Sequence, residues 1–423
     1  MIQFLPPSWR TPPLSLLFYV PLLLSYFGLG SLLAPVGMAR GTRLFVSGIL
    51  GITIAHILVI SFMPLWLTVG LVLAGGAWAF VQRPGLRWSL RATGLLVLSL
   101  WFVFMVFAED LIGNDGLWIW FAHGRAIFEA GGMYGVDWNA PVHIYAHTDY
   151  PKLMGALSAQ AAWTTGFWDC RWPKIAILPL LALTQIGFYA LPYGNRQVWF
   201  ANFACLFGIG YLLWNGYMDG YLALAAFLST GFLSAYLQFP RKDWLWSGLA
   251  SVGWIAQMKN EGRVLALCFL VCLLFFTRKN RTQWRDVLRE PASWLLLFVV
   301  LQWAFICWYF EIHNDMAKGF TPSLYFSRVI DPGFWSTFGH FVFKRGMVAP
   351  VLLVLLLIVR RGQRAVWFPL GVFALYSLFI VSAYLGTFWD VRDHLQSSFW
   401  RVILPLYCIL FAAFFNARKQ AIH

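Results

Sequence analysis

Long apolar runs separated by short polar breaks fill almost the whole chain. Runs of roughly 17–22 residues recur, the length a helix needs to cross about 30 Å of hydrocarbon. They predict spanning helices at 14–35, 44–63, 64–81, 92–108, 175–193, 198–214, 220–239, 244–258, 264–277, 294–310, 346–359, 365–386 and 399–416, thirteen in all. The first run has no small-residue cleavage site and more spans follow it, so it reads as a helix and not as a removed leader. One polar break is out of scale with the rest. Residues 109–151 hold Glu109, Asp110, Asp115, Glu129, Asp137 and Asp149, six of the chain's 17 acidic residues, together with His123, Arg125, His143 and His147. Charge is costly to keep at a membrane surface, so this concentration marks a functional site.

Composition agrees with the pattern. The 423 residues are 60% hydrophobic and 11% charged with a mean hydropathy of +0.68, which excludes a soluble domain. The predicted fold class is all-α, a polytopic transmembrane helical bundle of about 13 helices in a single integral-membrane domain, 1–423. Within it, 1–91 supplies N-terminal helices and 92–310 a catalytic core with an external loop at 109–174. A second external loop follows at 311–345, and C-terminal helices at 346–423. Five of the six cysteines (Cys205, Cys268, Cys272, Cys307 and Cys408) lie inside apolar runs with no CxxC spacing, so neither a disulfide framework nor a zinc site is expected.

Charge orients the bundle. Segment 152–168 is apolar enough to raise the question of a further crossing. If it stays on the side of the long loop, one face collects 18 basic residues against Asp243, Asp286 and Glu290, a net +15. These are Arg40, Arg43, Arg83, Arg87, Arg91, Arg196, Arg241, Lys242, Arg278, Lys279, Arg281, Arg285, Arg289, Arg360, Arg361, Arg364, Arg418 and Lys419. The other face keeps 13 basic and 14 acidic residues, a net −1. By the positive-inside rule the basic face is cytoplasmic, which places the C-terminus inside and the N-terminus and the 109–151 loop outside. The net charge of +14 therefore reports orientation and gives no reason to expect a nucleic-acid partner. A crossing at 152–168 would put the Arg278 to Arg289 cluster outside, which argues against it.

Inside the long loop, Leu117, Trp120, Phe121, Gly124, Ile127 and Phe128 share one helical face, with His123, Arg125 and Glu129 off it. This predicts an interfacial helix starting at Asn114 or Asp115 and stopped by Gly131 and Gly132. Asp115 then has two readings, a helix N-cap or a reactive carboxylate. Asp219 also reads as an N-cap, and Lys259 with Glu261 as a cap on a tight turn. Arg401, placed just inside the last helix, needs an anionic partner, either Asp390 or Asp393 or a bound phosphate.

Five short motifs recur in a fixed order: DGLWIWFAHGRA at 115–126, HTDYPKL at 147–153, GYMD at 216–219, KNEG at 259–262 and TFWDVRDHLQSSFWR at 387–401. They resemble the D-x-x-x-x-W-x-x-K-A-K-A, H-P-D-Y-P-L-L, G-Y-x-D, K-N-E-G and T-P-x-D-x-x-W-H-L-x-x-S-x-x-R patterns of bacterial GT-C-type membrane glycosyltransferases of the RgtA-like and ArnT-like kind. The chain departs at His123 and Arg125, where that group has lysines, at Thr148 in place of proline, and at Asp393 in place of tryptophan.

The resemblance implies a defined chemistry: a sugar passes from a polyprenyl-phosphate lipid donor to a glycan, lipid or protein hydroxyl on the external, periplasmic side of a bacterial inner membrane, with inversion. It assigns Asp115 as the general base. Donor and acceptor contacts fall to His123, Arg125, His147, Asp149, Tyr150, Lys152, Lys259, Glu261, Arg328, Lys344, Arg345, His394 and Arg401, the cations facing the departing phosphate. No cofactor is certain from the resemblance; Asp115, Asp149 and Asp219 are the oxygen ligands available for Mg²⁺ or Mn²⁺. Segment 311–345 is expected either to close over the lipid donor or to be a solvated linker. Two alternatives stand beside this reading: a polysaccharide polymerase or ligase using a lipid-diphosphate oligosaccharide, and a transporter or flippase for a lipid-linked sugar.

Overall fold

The computed structural model describes residues 12–61, 63–82, 115–140, 147–164, 166–168, 175–313, 320–359 and 366–415, apart from the side chains of 12–18 and 79–82. The expected helix 92–108 lies outside the described residues, as do Glu109, Asp110, Asn114 and His143 of the acidic loop and Arg83, Arg87, Arg91, Arg360, Arg361, Arg364, Arg418 and Lys419 of the basic face. Among the described residues the chain is helical, without strands. The other twelve apolar runs all fall on helices.

The N-terminal group comprises α1 (Pro12–Ser31), α2 (Arg40–Ile60) and α3 (Leu65–Gln82). Two glycines let α1 and α2 meet backbone to backbone. A Cβ on Gly51 would sit 1.7 Å from the Tyr26 carbonyl oxygen, and one on Gly30 1.8 Å from that of Ser47. Small residues at a crossing are the usual means of packing helices in lipid, where burial of apolar surface gives no driving force.

The acidic loop contributes α4 (Ala122–Glu129), preceded by a π-helical turn at Gly116–Phe121, and α5 (Leu153–Trp163). α5 is buried from Leu153 to Ala162, and its 11 residues reach only about 17 Å, roughly half the hydrocarbon thickness. The described part of 152–168 is therefore too short to cross.

Next come α6 (Ile177–Ala190), α7 (Asn195–Ile209), α8 (Met218–Gln238), α9 (Lys242–Ala256), α10 (Asn260–Thr277), α11 (Arg281–Arg289) and α12 (Pro291–Tyr309). α8 is the hub. Its 21 residues extend about 31 Å; almost all are buried, against α6, α9, α10 and the last helix. The second loop is helical over most of its described part. It folds into α13 (Pro322–Ile330) and α14 (Pro332–Phe341), each opened by proline and capped by the side chain of Thr321 or Asp331.

The C-terminal helices are α15 (Val348–Val359), α16 (Trp367–Gly386), α17 (Val391–Val402) and α18 (Leu404–Ala413). α17 and α18 make one 23-residue apolar unit broken at Ile403. Pro405 has no N–H to offer the Arg401 carbonyl one turn back, which accounts for the break. The final helix thus begins eight residues before the expected start at 399. Six helices among the described residues are long and apolar enough to cross a membrane, or seven if Pro332–Gly346 and Val348–Val359, bent by 65°, count as one. The protein is a membrane protein.

Candidate active site

Two backbone turns touch where the site forms. Gly116 opens the π-helical turn, and a Cβ there would lie 2.7 Å from the Asn215 carbonyl oxygen. Gly216, at φ +91°, holds a left-handed conformation that favours glycine. This contact sets Asp115 beside the first turn of α8, which carries Asp219. Gly116→Ala is expected to lower the thermal midpoint in detergent through an overpacking cost of about 1–3 kcal/mol. An unchanged midpoint would mean that the two turns do not constrain each other.

Asp115 is not a helix cap. Its backbone is already helical, at φ −63° and ψ −37°, and its side chain caps nothing. Its carboxylate accepts a hydrogen bond from Arg401 Nη1 on α17. The same guanidinium lies 3.5 Å from Asp219 Oδ2 and 5.0 Å from the centre of the Tyr217 ring. Asp219 Oδ1 faces Lys259 Nζ at 2.9 Å, and that ammonium is 3.7 Å from Glu261 Oε1. The Tyr150 hydroxyl donates to Glu261 Oε1 at 3.4 Å, and Asn260 Nδ2 donates to Asp149 Oδ2 at 2.6 Å.

These contacts replace the simpler roles the sequence offered. Tyr217, not Asp219, holds the N-cap position of α8, and Lys259, at that position on α10, makes no side-chain cap. Asp390 and Asp393 do not pair with Arg401; Asp390 caps α17, accepting from the Arg392 and Asp393 amides at 2.9 and 3.1 Å.

Burial sets the electrostatics. The Lys259 and Asp219 side chains keep 5% and 2% of their surface, whereas Arg401 and Asp115 keep 14% and 21%, so the outer pair is the one open to a ligand. Burial alone would lower the Lys259 pKa; the Asp219 and Glu261 carboxylates outweigh it and raise that pKa above its ordinary value. Burial, then the charges of Glu261 and Asp149, raise the Tyr150 phenol well above its usual range, so it remains a donor. Glu261 Oε2, Asn260 Oδ1 and Trp120 Nε1 are among the buried polar atoms here that make no hydrogen bond.

Tyr150 is the middle ring of a stack. Trp120 lies on one side at 5.5 Å and His147 at 5.1 Å. His147 holds φ +44°, a strained conformation for a residue with a side chain. His394 meets Thr387 Oγ1 at 3.0 Å and the Tyr384 ring at 4.9 Å, and the Tyr384 hydroxyl lies 2.8 Å from Ser398 Oγ. The last motif thus ties the end of α16 to α17.

Other expected site residues go elsewhere. Regular helical spacing sets His123 off the apolar face, yet it is fully buried along with Gly124 and Ile127 of that face, 3.2 Å from Lys152 Nζ. Lys152 is buried as well. Its buried ammonium donates to the Thr148 carbonyl at 2.6 Å and sits over the Trp138 and Trp303 rings, while Trp303 Nε1 donates to the Asp149 carbonyl at 2.7 Å. Both carbonyls ahead of Tyr150 are held in this way. Arg125 faces solvent, paired with Glu129 at 2.7 Å. Arg328 donates to the Tyr384, Leu385 and Trp389 carbonyls and so caps the C-terminus of α16; Arg345 donates to the Gln396 carbonyl at 3.0 Å; Lys344 is exposed.

The arrangement does not fit a cation site made from Asp115, Asp149 and Asp219. Arg401 occupies the space between Asp115 and Asp219, Asn260 holds Asp149, and among the described residues no three His, Cys, Asp or Glu side chains gather in ligand geometry. Sequence reading missed Asn260, Tyr217 and Tyr384, and also Trp138 and Trp303. Asn260 and Tyr217 stand inside quoted motifs. The two tryptophans look like any other aromatic in an apolar chain. No protein-family model, curated protein or solved structure matches the chain.

Proposed function

We propose that the protein is a GT-C-type membrane glycosyltransferase, moving a sugar from a polyprenyl-phosphate donor to an envelope glycan, lipid or protein hydroxyl. One observation carries the reading. Motifs spread from residue 115 to residue 401 meet in one charge-linked group, Asp115, Arg401, Asp219, Lys259, Glu261 and Tyr150, and a structural bundle has no need of one.

In the proposed step the acceptor oxygen loses its proton to the Asp115 carboxylate and forms a bond to the sugar C1. The bond from C1 to the phosphate oxygen breaks, and its electron pair leaves on the lipid phosphate. Arg401, the more exposed of the two cations, faces that phosphate. In doing so it gives up part of its hold on Asp115, so donor arrival frees the base. Asn260 Oδ1, Glu261 Oε2 and Trp120 Nε1 are the polar atoms left to meet hydroxyls.

With the undescribed run at 92–108, the proposal extends to thirteen helices in a bacterial inner membrane, the N-terminus and the active site outside and the C-terminus cytoplasmic, in keeping with the +15 face. Mass spectrometry of envelope glycans and lipid-linked sugars from cells with and without the protein tests it. A lost glycan linkage with accumulated donor is expected, and identical profiles would remove the function. Arg401→Ala should raise the apparent KM for the lipid donor about tenfold or more, on the order of one charge-assisted hydrogen bond. An unaltered KM would take Arg401 out of the phosphate site.

A further inference from the structure

We infer that α11, the short helix joining α10 to α12, is a binding site for anionic phospholipid headgroups, independent of the active site. α10 and α12 are both long and apolar enough to cross, so α11 lies at the edge of the bilayer. Its sequence, RTQWRDVLR, puts Arg281, Arg285 and Arg289 on one stripe at four-residue spacing, with Arg278 just before them at the end of α10. All four are exposed.

The helix is held in a fixed attitude. Asn280 caps it, accepting from the Thr282 and Gln283 amides. Gln283 and Tyr236 exchange hydrogen bonds, side chain to carbonyl in each direction, at 3.3 and 3.4 Å, which bolts α11 to the end of α8. Glu290 accepts from Trp246 Nε1 at 3.0 Å and pairs with Lys242 at 2.7 Å, and Trp294 Nε1 donates to the Leu288 carbonyl at 3.0 Å. Gln283 and Val287 face inward, so the arginine stripe faces out.

What lies beside that stripe identifies the partner. Leu288, Trp294, Phe275 and Phe298 are exposed apolar side chains at the ends of α11, α10 and α12, and the Arg278 guanidinium sits 3.9 Å over the Phe275 ring. Cations above and bare hydrocarbon below match a phosphate headgroup with its acyl chains. An acidic protein or an RNA would meet the cations but leave the apolar rim uncovered. The nearby carboxylates do not neutralise the stripe: Glu290 is taken by Lys242, and Asp286, three residues before Arg289, offsets at most one of the four cations.

The test is native mass spectrometry of the purified full chain in detergent, titrated with phosphatidylglycerol or phosphatidylcholine. Wild type is expected to retain phosphatidylglycerol preferentially. Arg281→Gln, Arg285→Gln and Arg289→Gln together should weaken that binding about 100-fold, from a contribution of about 1 kcal/mol per basic residue at a lipid surface. The matching triple lysine variant keeps the charge and should keep most of the binding. Equal retention of the two lipids by wild type, or equal phosphatidylglycerol binding by wild type and the glutamine variant, would overturn the proposal. A glutamine variant with a lowered thermal midpoint is read against the lysine variant at the same positions, and loss of binding in both overturns it too.

Discussion

Replacing Asp115 with Asn is expected to abolish sugar transfer, with a fall of about 10²–10⁴-fold or more in kcat, the range a positioned general base supplies. The amide keeps the shape but cannot take a proton. Because Asp115 and Arg401 retain some exposure, and Asp219 remains beside Arg401 to balance its charge, the variant should express and melt much as wild type does. The measurement pairs turnover on a lipid-linked sugar with a thermal midpoint in detergent. Wild-type turnover would refute the base assignment, and a collapsed midpoint would make Asp115 a structural carboxylate.

Lys259→Ala should have the opposite signature, a large loss of stability. Its ammonium is buried between Asp219 and Glu261, and removing it strands Glu261 and leaves Asp219 with Arg401 alone, two carboxylates that have almost no contact with water. Breaking a buried pair from one side typically costs about 3–5 kcal/mol. Adding Asp219→Asn to Lys259→Ala should restore part of the loss, because it removes one of the stranded charges. If the single variant melts with wild type, the buried pair is not holding the fold. The pH dependence follows from the raised Lys259 pKa. A group whose folded pKa lies above its unfolded value stabilises fully below the unfolded value, about 10.4 for lysine, and that contribution is lost as pH rises through the folded pKa. Tyr150, raised by burial, acts in the same direction, so stability should hold through neutral pH and fall in strong alkali.

The helices were legible because lipid imposes a simple rule, and a run of apolar residues is hard to read in any other way. Their ends were less so: α17 starts at Val391, in a polar stretch that packing against α14 and α16 makes helical. For the site, the motif residues Asp115, Tyr150, Lys259, Glu261 and Arg401 were found in the chain, but their partners were not, since pairing across hundreds of residues leaves no local trace. Asp115 also read as a cap because the cap pattern depends on position alone, and a π-helical turn has no periodic signature. Arg328 and Arg345 drew attention as isolated cations, yet both are spent on carbonyls at helix ends.

The bond between Asp115 and Arg401 joins residues 286 positions apart, and Arg401 belongs to the last helical unit of the chain. A nascent polypeptide entering the membrane in order therefore carries the acids of α8 and the early loop long before the guanidinium that balances them is synthesised. A chain ending before residue 391 lacks Arg401 and with it the cation that Asp115 pairs with in the folded protein.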